Sequence, residues 1–545
     1  MGNQKLSTLC NESKFLIIDD FENFRSSLRL MLSSFGANSI ETASNAEKAL
    51  ELCKFDSFDV ILCDLNLGAG KTGQHVLEEL RIKKRLKRTH LFAMVTADTS
   101  KEAVLGTREF QPDAYIAKPV TRSTLEERLL QLLSQQMHLK PINKEIDLEN
   151  YAKAISLCQQ EIDKGSRYRS WCLQTMADLY RKIGDSSSAQ KIYSEVLSKR
   201  PIDWAKIGLG KTLYDSNQYE EAKHVFSSAA EQSPFLVEAF EGISDSCLKL
   251  GQKEDAQTAL TQAVSISPRM VKRQTKLAQL CVENNDLASA SEAFRHAVSF
   301  GQNTVHEVSK LYLDFGRCLS DLALGDKSSE GEALAREASS QLEAVLRKFV
   351  TEEEACHCAN LIKSRILIDR GNKAPALTLI DKTKSCVDAD QVSADLGIEL
   401  SRSLYAAGKV DESENILINL SKRFAEDPEA LAKIESVLDE PEPLEVKIKA
   451  KGLNKSGISL FESGRLEEAI EAFNSAIALT PKHAALNLNL AQVAIKLYQE
   501  DKDASKLRLA DQSLERIKHI PEQHKQYRRL QHIGALLEKT KTEVK

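Results

Sequence analysis

A chain of 545 residues is too long to close around one core, so several domains are expected. Charged residues make up 28% and aromatic residues only 6%, a balance that favours helices over sandwiches or barrels when Ala, Leu, Glu, Lys and Ser are abundant. A net charge of −5 and a pI near 6.2 argue against a general pull toward nucleic acid, and no apolar run approaches the ~20 residues of a bilayer-spanning helix.

Residues 1–13 read as an N-terminal tail with no apolar signal core. The eleven scattered cysteines then read as reduced thiols of a cytoplasmic protein. From Lys14 the pattern alternates strand and helix. Phe15–Ile18 is a first strand ending on Asp19-Asp20, and Phe24, Leu28, Met31 and Leu32 mark an amphipathic helix after it. A second strand spans 38–42, and a second helix spans 45–53, capped by Ser44 or Asn45. The third strand is a β-branched apolar run ending on Asp64, which suits a strand buried on both faces. A third helix over 73–83 follows. A fourth strand ends on Thr96, a fifth ends on Lys118-Pro119, and a last helix covers 124–136. Repeated βα units predict a doubly wound parallel five-stranded sheet with helices on both faces.

Ligand chemistry in such sheets collects at the carboxyl ends of the strands. Asp19, Asp20, Asp64, Thr96 and Lys118 all fall there. Clustered carboxylates need a cation, and an all-oxygen set suits Mg²⁺. A carboxylate can also attack phosphorus to give an aspartyl phosphate, with a lysine neutralising the phosphoryl oxygens.

The Asp19-Asp20 pair, Asp64, Thr96, Tyr115 and Lys118-Pro119 together resemble the flavodoxin/CheY-like receiver domain of two-component response regulators, over residues 14–136. The resemblance implies that Asp64 is the phosphoacceptor. It implies that Asp20, Asp64 and the Asn66 backbone carbonyl hold Mg²⁺, with Asp19 acting through water. It makes Thr96 and Tyr115 a switch pair, pairs Lys118 with the phosphoryl oxygens, and puts a cis bond before Pro119. The signalling face would then be built from the fourth helix, last strand and last helix of the receiver. After Asp64 the loop Leu67–Gly73 lacks the proline often found there and is about one residue longer than the family pattern. Gly70-Lys71-Thr72 is no nucleotide loop, because position 65 is leucine where a glycine is required.

Residues 137–148, with Pro141, read as a linker. Beyond it Ala189, Ala222, Ala256 and Ala290 lie 33, 34 and 34 residues apart. Tyr193, Phe226, Leu260 and Phe294 follow each by four residues, and Ala177, Gly210, Ser244 and Ala278 precede each by twelve. Pro201, Pro234 and Pro268 close three units. Small residues let antiparallel helices approach, the large residue fills the groove between units, and proline ends the second helix. This period resembles the tetratricopeptide repeat (TPR), which implies an α-solenoid over 149–302.

Trp171 and Trp204 stand 33 residues apart on successive first helices. They read either as packing between repeats or as a peptide platform. Residues 303–438 read as degenerate repeats, with Ala376 and Ser413 at the small position. Residues 439–449 read as an acidic, proline-broken hinge. Residues 450–545 read as a sharp repeat, marked by Gly457, Gly464, Ala469, Phe473, Ala476 and Pro481, followed by terminal helices. Cys356-His357-Cys358 lacks the second ligand pair of a structural zinc site.

The expected function is that of a response regulator without a catalytic output, phosphorylated by a sensor histidine kinase or a histidine phosphotransfer protein. Its repeats would bind an unidentified protein, and a second copy of the chain is a further candidate partner. Neither DNA nor a membrane span is expected. The alternative in the same class is an inhibitor or phosphate sink acting on the cognate kinase or a sibling regulator. RNA binding by the repeats, or a cryptic enzymatic output between 305 and 450, ranks lower. The mixed charges of Lys211, Glu238, Glu241, Asp245 and Lys272 do not build a basic face.

Overall fold

The computed structural model describes residues 2–68, 70–97, 112–386, 392–439, 444–518, 520 and 526–542. They fall into two compact units, Met1–Val308 and Ser309–Lys545.

The first unit opens with helix α1 (Gly2–Asn11), where a tail was expected. Leu6, Leu9 and Cys10, at helical spacing, are buried in the core of the α/β domain. Strands β1 (Lys14–Ile18), β2 (Ser39–Ala43), β3 (Val60–Asp64), β4 (Leu91–Thr96) and β5 (Ala114–Ala117) form one parallel sheet in the order β2-β1-β3-β4-β5. Helices α2 (Glu22–Ser34), α3 (Ala46–Phe55) and α4 (Gly73–Ile82) connect them, and the Asn45 side chain caps α3 by accepting from the Lys48 N–H. Side chains alternate across each strand. Phe15, Ile17 and Leu62 therefore face one apolar layer, with Leu28, Leu125 and Leu129. Leu16, Ile18 and Cys63 face the other, with Leu50, Val76 and Leu77.

The expected linker is not one. Helix α5 runs unbroken from Arg122 to Asp147, with Pro141 inside it. Leu139, Ile142, Asn143 and Ile146 are buried at helical spacing, and their packing holds the helix through a residue that cannot donate to it. Helix α6 (Tyr151–Asp163) packs on the far half of α5 and starts the solenoid.

Four helix pairs follow: α7 (Arg169–Lys182) with α8 (Ser186–Lys199), α9 (Asp203–Asp215) with α10 (Tyr219–Gln232), α11 (Val237–Lys249) with α12 (Lys253–Ile266), and α13 (Val271–Glu283) with α14 (Leu287–Gly301). The repeat signature is a space requirement. Phe226 lies between glycines of neighbouring first helices, and a Cβ added at Gly210 or Gly242 would come within 2.6 Å of its ring.

The second unit continues the pattern through α15 (Ser309–Leu322), α16 (Ser329–Lys348), α17 (Glu353–Asp369), α18 (Lys373–Cys386), α19 (Ala394–Ala406), α20 (Val410–Arg423) and α21 (Pro428–Asp439). It ends with α22 (Leu444–Glu462), α23 (Leu466–Leu479), α24 (Ala484–Asp501), α25 (Ala504–Arg516) and α26 (Tyr527–Thr542). Ala376 and Ser413 are buried as their small size suggests. Of the expected hinge, residues 440–443 lie outside the described residues and 444–449 are helical.

Candidate functional site at the carboxyl end of the sheet

The site is assembled by the ends of the adjacent strands β1 and β3 and of β5, which lies beyond β4. Asp19 follows β1, Asp64 closes β3, and Lys118 follows β5. Asp64 pairs in register with Val95, which places Thr96 one residue beyond it. Thr96 in turn pairs with Ala117. The Lys118 N–H donates to the Thr96 carbonyl at 2.8 Å. The lysine is thus carried to the same rim as the two carboxylates.

Its ammonium sits between them, with Nζ 2.7 Å from Asp19 Oδ2 and 2.6 Å from Asp64 Oδ2. The ring of Phe24 lies beneath it, 4.1 Å from Nζ to the centroid. Asp19 Oδ1 accepts from the Phe21 N–H at 2.8 Å, and Asp64 Oδ1 from the Asn66 N–H at 3.3 Å. Asp20 stands exposed beside them, and one oxygen from each of Asp19, Asp20 and Asp64 lies within 4.8 Å of the others.

Burial raises the Asp64 carboxyl above the ordinary range against the pull of Lys118, and the Asp19 charge adds to the rise. Burial works against the Lys118 ammonium, but its hydrogen bonds to Asp19 and Asp64 hold the proton more tightly than in an ordinary lysine. Three carboxylates against one ammonium leave two negative charges in an all-oxygen cradle. That deficit and donor set fit a divalent hard cation such as Mg²⁺. It is the one such group among the described residues, and Cys356-His357-Cys358 makes none.

Thr96 is buried at the rim, and the Tyr115 ring packs half-buried on the layer that includes Phe92 and Met94. The Lys118–Pro119 peptide bond is cis. The expected signalling face falls partly on residues 98–111, outside the described residues. Lys71 and Thr72 serve helix α4 rather than a nucleotide. Lys71 Nζ pairs with the buried Glu79 at 2.7 Å, and the Thr72 N–H donates to His75 Nδ1 at 3.1 Å.

Each tryptophan packs on an apolar cluster between helices. Trp171 packs with Leu139, Ile155 and Met176, while Trp204 meets Tyr193 edge to face at 6.1 Å. A polar stripe that sequence reading missed lies instead in the C-terminal repeats. Asn489 Nδ2 donates to Asn454 Oδ1 at 3.0 Å, and Arg529 Nη2 donates to Asn489 Oδ1 at 2.7 Å and Gln492 Oε1 at 2.8 Å. Arg529 is half-buried with no carboxylate against it among the described residues, and that desolvation lowers its pKa. The 35-residue spacing of Asn454 and Asn489, close to one repeat, was the available signal.

Residues 15–130 match the response regulator receiver domain, residues 207–270 the tetratricopeptide repeat, and residues 457–497 the TPR repeat. The chemotaxis protein CheY-3 of Vibrio cholerae is 32% identical over 116 residues, 21% of this chain and 88% of that protein. The chemotaxis protein CheY of Pseudomonas aeruginosa is 29% identical over 21% of this chain and 92% of its own. The solved structure of the chemotaxis response regulator CheY4 of Vibrio cholerae aligns at 26% identity and a TM-score of 0.21, covering 22% of this chain and 98% of that one. No described helix is long and apolar enough to cross a membrane. With its CheY-like receiver followed by tetratricopeptide repeats, the chain belongs to the response regulator receiver family.

Proposed function

We propose that the chain is the response regulator of a phosphorelay. It takes a phosphoryl group on Asp64 from a histidine kinase or phosphotransfer protein and signals through protein contacts of its repeats. The observation that carries this reading is the bridge of Lys118 between Asp19 and Asp64 at 2.7 and 2.6 Å, beside Asp20.

An Asp64 oxygen attacks phosphorus, the P–N bond of the donor phosphohistidine breaks, and the imidazole leaves with its electron pair and takes up a proton. Asp20, Asp64 and the Asn66 carbonyl would hold Mg²⁺, with Asp19 acting through water. The ion, when bound, neutralises charge on the phosphoryl oxygens. Lys118 exchanges its bond to the free Asp64 carboxylate for one to a phosphoryl oxygen and keeps its bond to Asp19. Thr96 donates its hydroxyl to the same group, and Tyr115 follows it inward.

On this reading the output is binding, not a second reaction, and the protein is cytoplasmic, in keeping with eleven cysteines that are all free. The stripe of Asn454, Asn489 and Arg529 supports the binding role, because primary amides pair with an extended backbone and the guanidinium takes a carboxylate.

The test is labelling by acetyl phosphate with Mg²⁺. The wild type should incorporate one acid-stable, base-labile phosphoryl group per chain, and Asp64→Asn should incorporate none. Equal labelling of the two proteins would remove Asp64 as the acceptor.

A further inference from the structure

Helix α4 is fastened at one end to the acceptor. The Gly73 N–H donates to the Leu65 carbonyl at 2.9 Å, and Gly73 lies so close that an added Cβ would stand 2.1 Å from the Asp64 carbonyl oxygen. One turn further along, the same helix is fastened to the far end of the first repeat array. Glu78 Oε1 and His306 Nε2 lie 2.6 Å apart, joining positions 228 residues distant, and both side chains are only 13% exposed.

His306 is not a loose end. The segment after α14 bonds to itself: the Asn303 N–H donates to Glu307 Oε2 at 2.7 Å, Thr304 Oγ1 to the Gly301 carbonyl at 2.7 Å, and the His306 N–H to Thr304 Oγ1 at 3.1 Å. Residues 301–307 thus form a preformed turn that presents one imidazole to one carboxylate. At the near end of the array, Asp147 of α5 accepts from the Arg88 and Thr89 N–H groups at 2.9 and 3.2 Å, in the segment that leaves α4. The stretch that contains the four repeats is thus held to the receiver at both ends, at Asp147 on the loop after α4 and at His306 on α4 itself.

We propose that residues 301–307 are a docking element of the array, seated on α4 of the receiver in the resting chain and released when Asp64 is phosphorylated. The inference rests on the acceptor role of Asp64. A phosphoryl group adds ~1.5–2 negative charges to a strand end that touches the first turn of α4 without a gap. The helix moves as a rigid body, so a shift of its first turn carries Glu78 with it. A part-buried hydrogen bond of 2.6 Å tolerates little displacement. Release would free the last repeat of the array, α13 with α14, and change the surface it offers. Coupling is reciprocal, so a chain unable to close the contact should bind the activating group more tightly.

The experiment uses the full chain with Mg²⁺ and beryllofluoride, which mimics the phosphoryl group on a carboxylate. In the wild type, beryllofluoride should raise amide hydrogen exchange in 301–307 and the C-terminal turn of α4. Glu78→Gln and His306→Ala, two variants of one contact, should show that raised exchange beforehand and should bind beryllofluoride about five-fold more tightly. Binding by the wild type with unchanged exchange in 301–307 overturns the proposal and leaves Asp64 in place. Failure of the wild type to bind beryllofluoride overturns both.

Discussion

A Cβ added at Gly73 would stand 2.1 Å from the Asp64 carbonyl oxygen, 2.9 Å from Cys63 Sγ and 3.0 Å from the Asp64 carbonyl carbon. Two of the three obstacles are backbone at the end of a buried strand, so the acceptor strand cannot yield and α4 must. Gly73→Ala is therefore expected to cost ~1–3 kcal/mol, in the manner of an overpacked core, and to weaken beryllofluoride binding as well. Gly452 makes the control. It lies within α22 with nothing inside 4 Å of an added Cβ, so Gly452→Ala should raise stability slightly, by ~0.5–1 kcal/mol. Urea midpoints of the two variants should move in opposite directions. A Gly73→Ala protein as stable as the wild type would mean that the close approach of α4 to Asp64 is not there.

Among the elements, the helix pairs depend on one filling residue each. Phe226 is fully buried and occupies space left by Gly210 and Gly242 on the helices either side. Phe226→Ala should cost ~3–5 kcal/mol, because two repeats lose their shared filler at once. The same substitution at the exposed Phe55 should cost little. These features were readable in advance, since a period of 33 or 34 residues repeats the same space requirement and a strand ending on a carboxylate repeats the same rim. The rest was hidden for physical reasons. Pro141 hid the helical spacing of Leu139, Ile142 and Ile146, which the packing of α6 makes good. The short N-terminal segment gives only Leu6, Leu9 and Cys10 as a pattern, too few to separate a docked helix from a tail. The Glu78–His306 contact joins residues 228 positions apart and leaves no local trace at all.

At the scale of the whole molecule, each unit carries its own buried clusters, and the second also carries a buried ionic network. Glu399, 1% exposed on α19, holds Arg317 of α15 at 2.5 Å and lies 3.9 Å from Arg365 of α17. Arg402 reaches Asp321 of α15 at 2.9 Å. Three first helices of successive repeats are tied in this way, at charges that are costly to bury and more costly to leave unpaired. Burial alone would push the Glu399 carboxyl up, but Arg317, Arg365 and Arg402 hold it below its ordinary value of 4.5. A folded-state value below the unfolded one means that this contribution is present above pH 4.5 and lost as pH falls through the lower folded value. Glu399→Ala takes the central carboxylate from three arginines and leaves them only Asp314 and Asp321, so it should cost ~3–5 kcal/mol. If the two units are separate cooperative bodies, chemical unfolding should show two transitions. Glu399→Ala should lower only one, and Phe226→Ala only the other. Acidification below pH 4.5 should narrow the gap between wild type and Glu399→Ala in the affected transition. Both substitutions moving one shared transition equally would show that the 545 residues unfold as a single body.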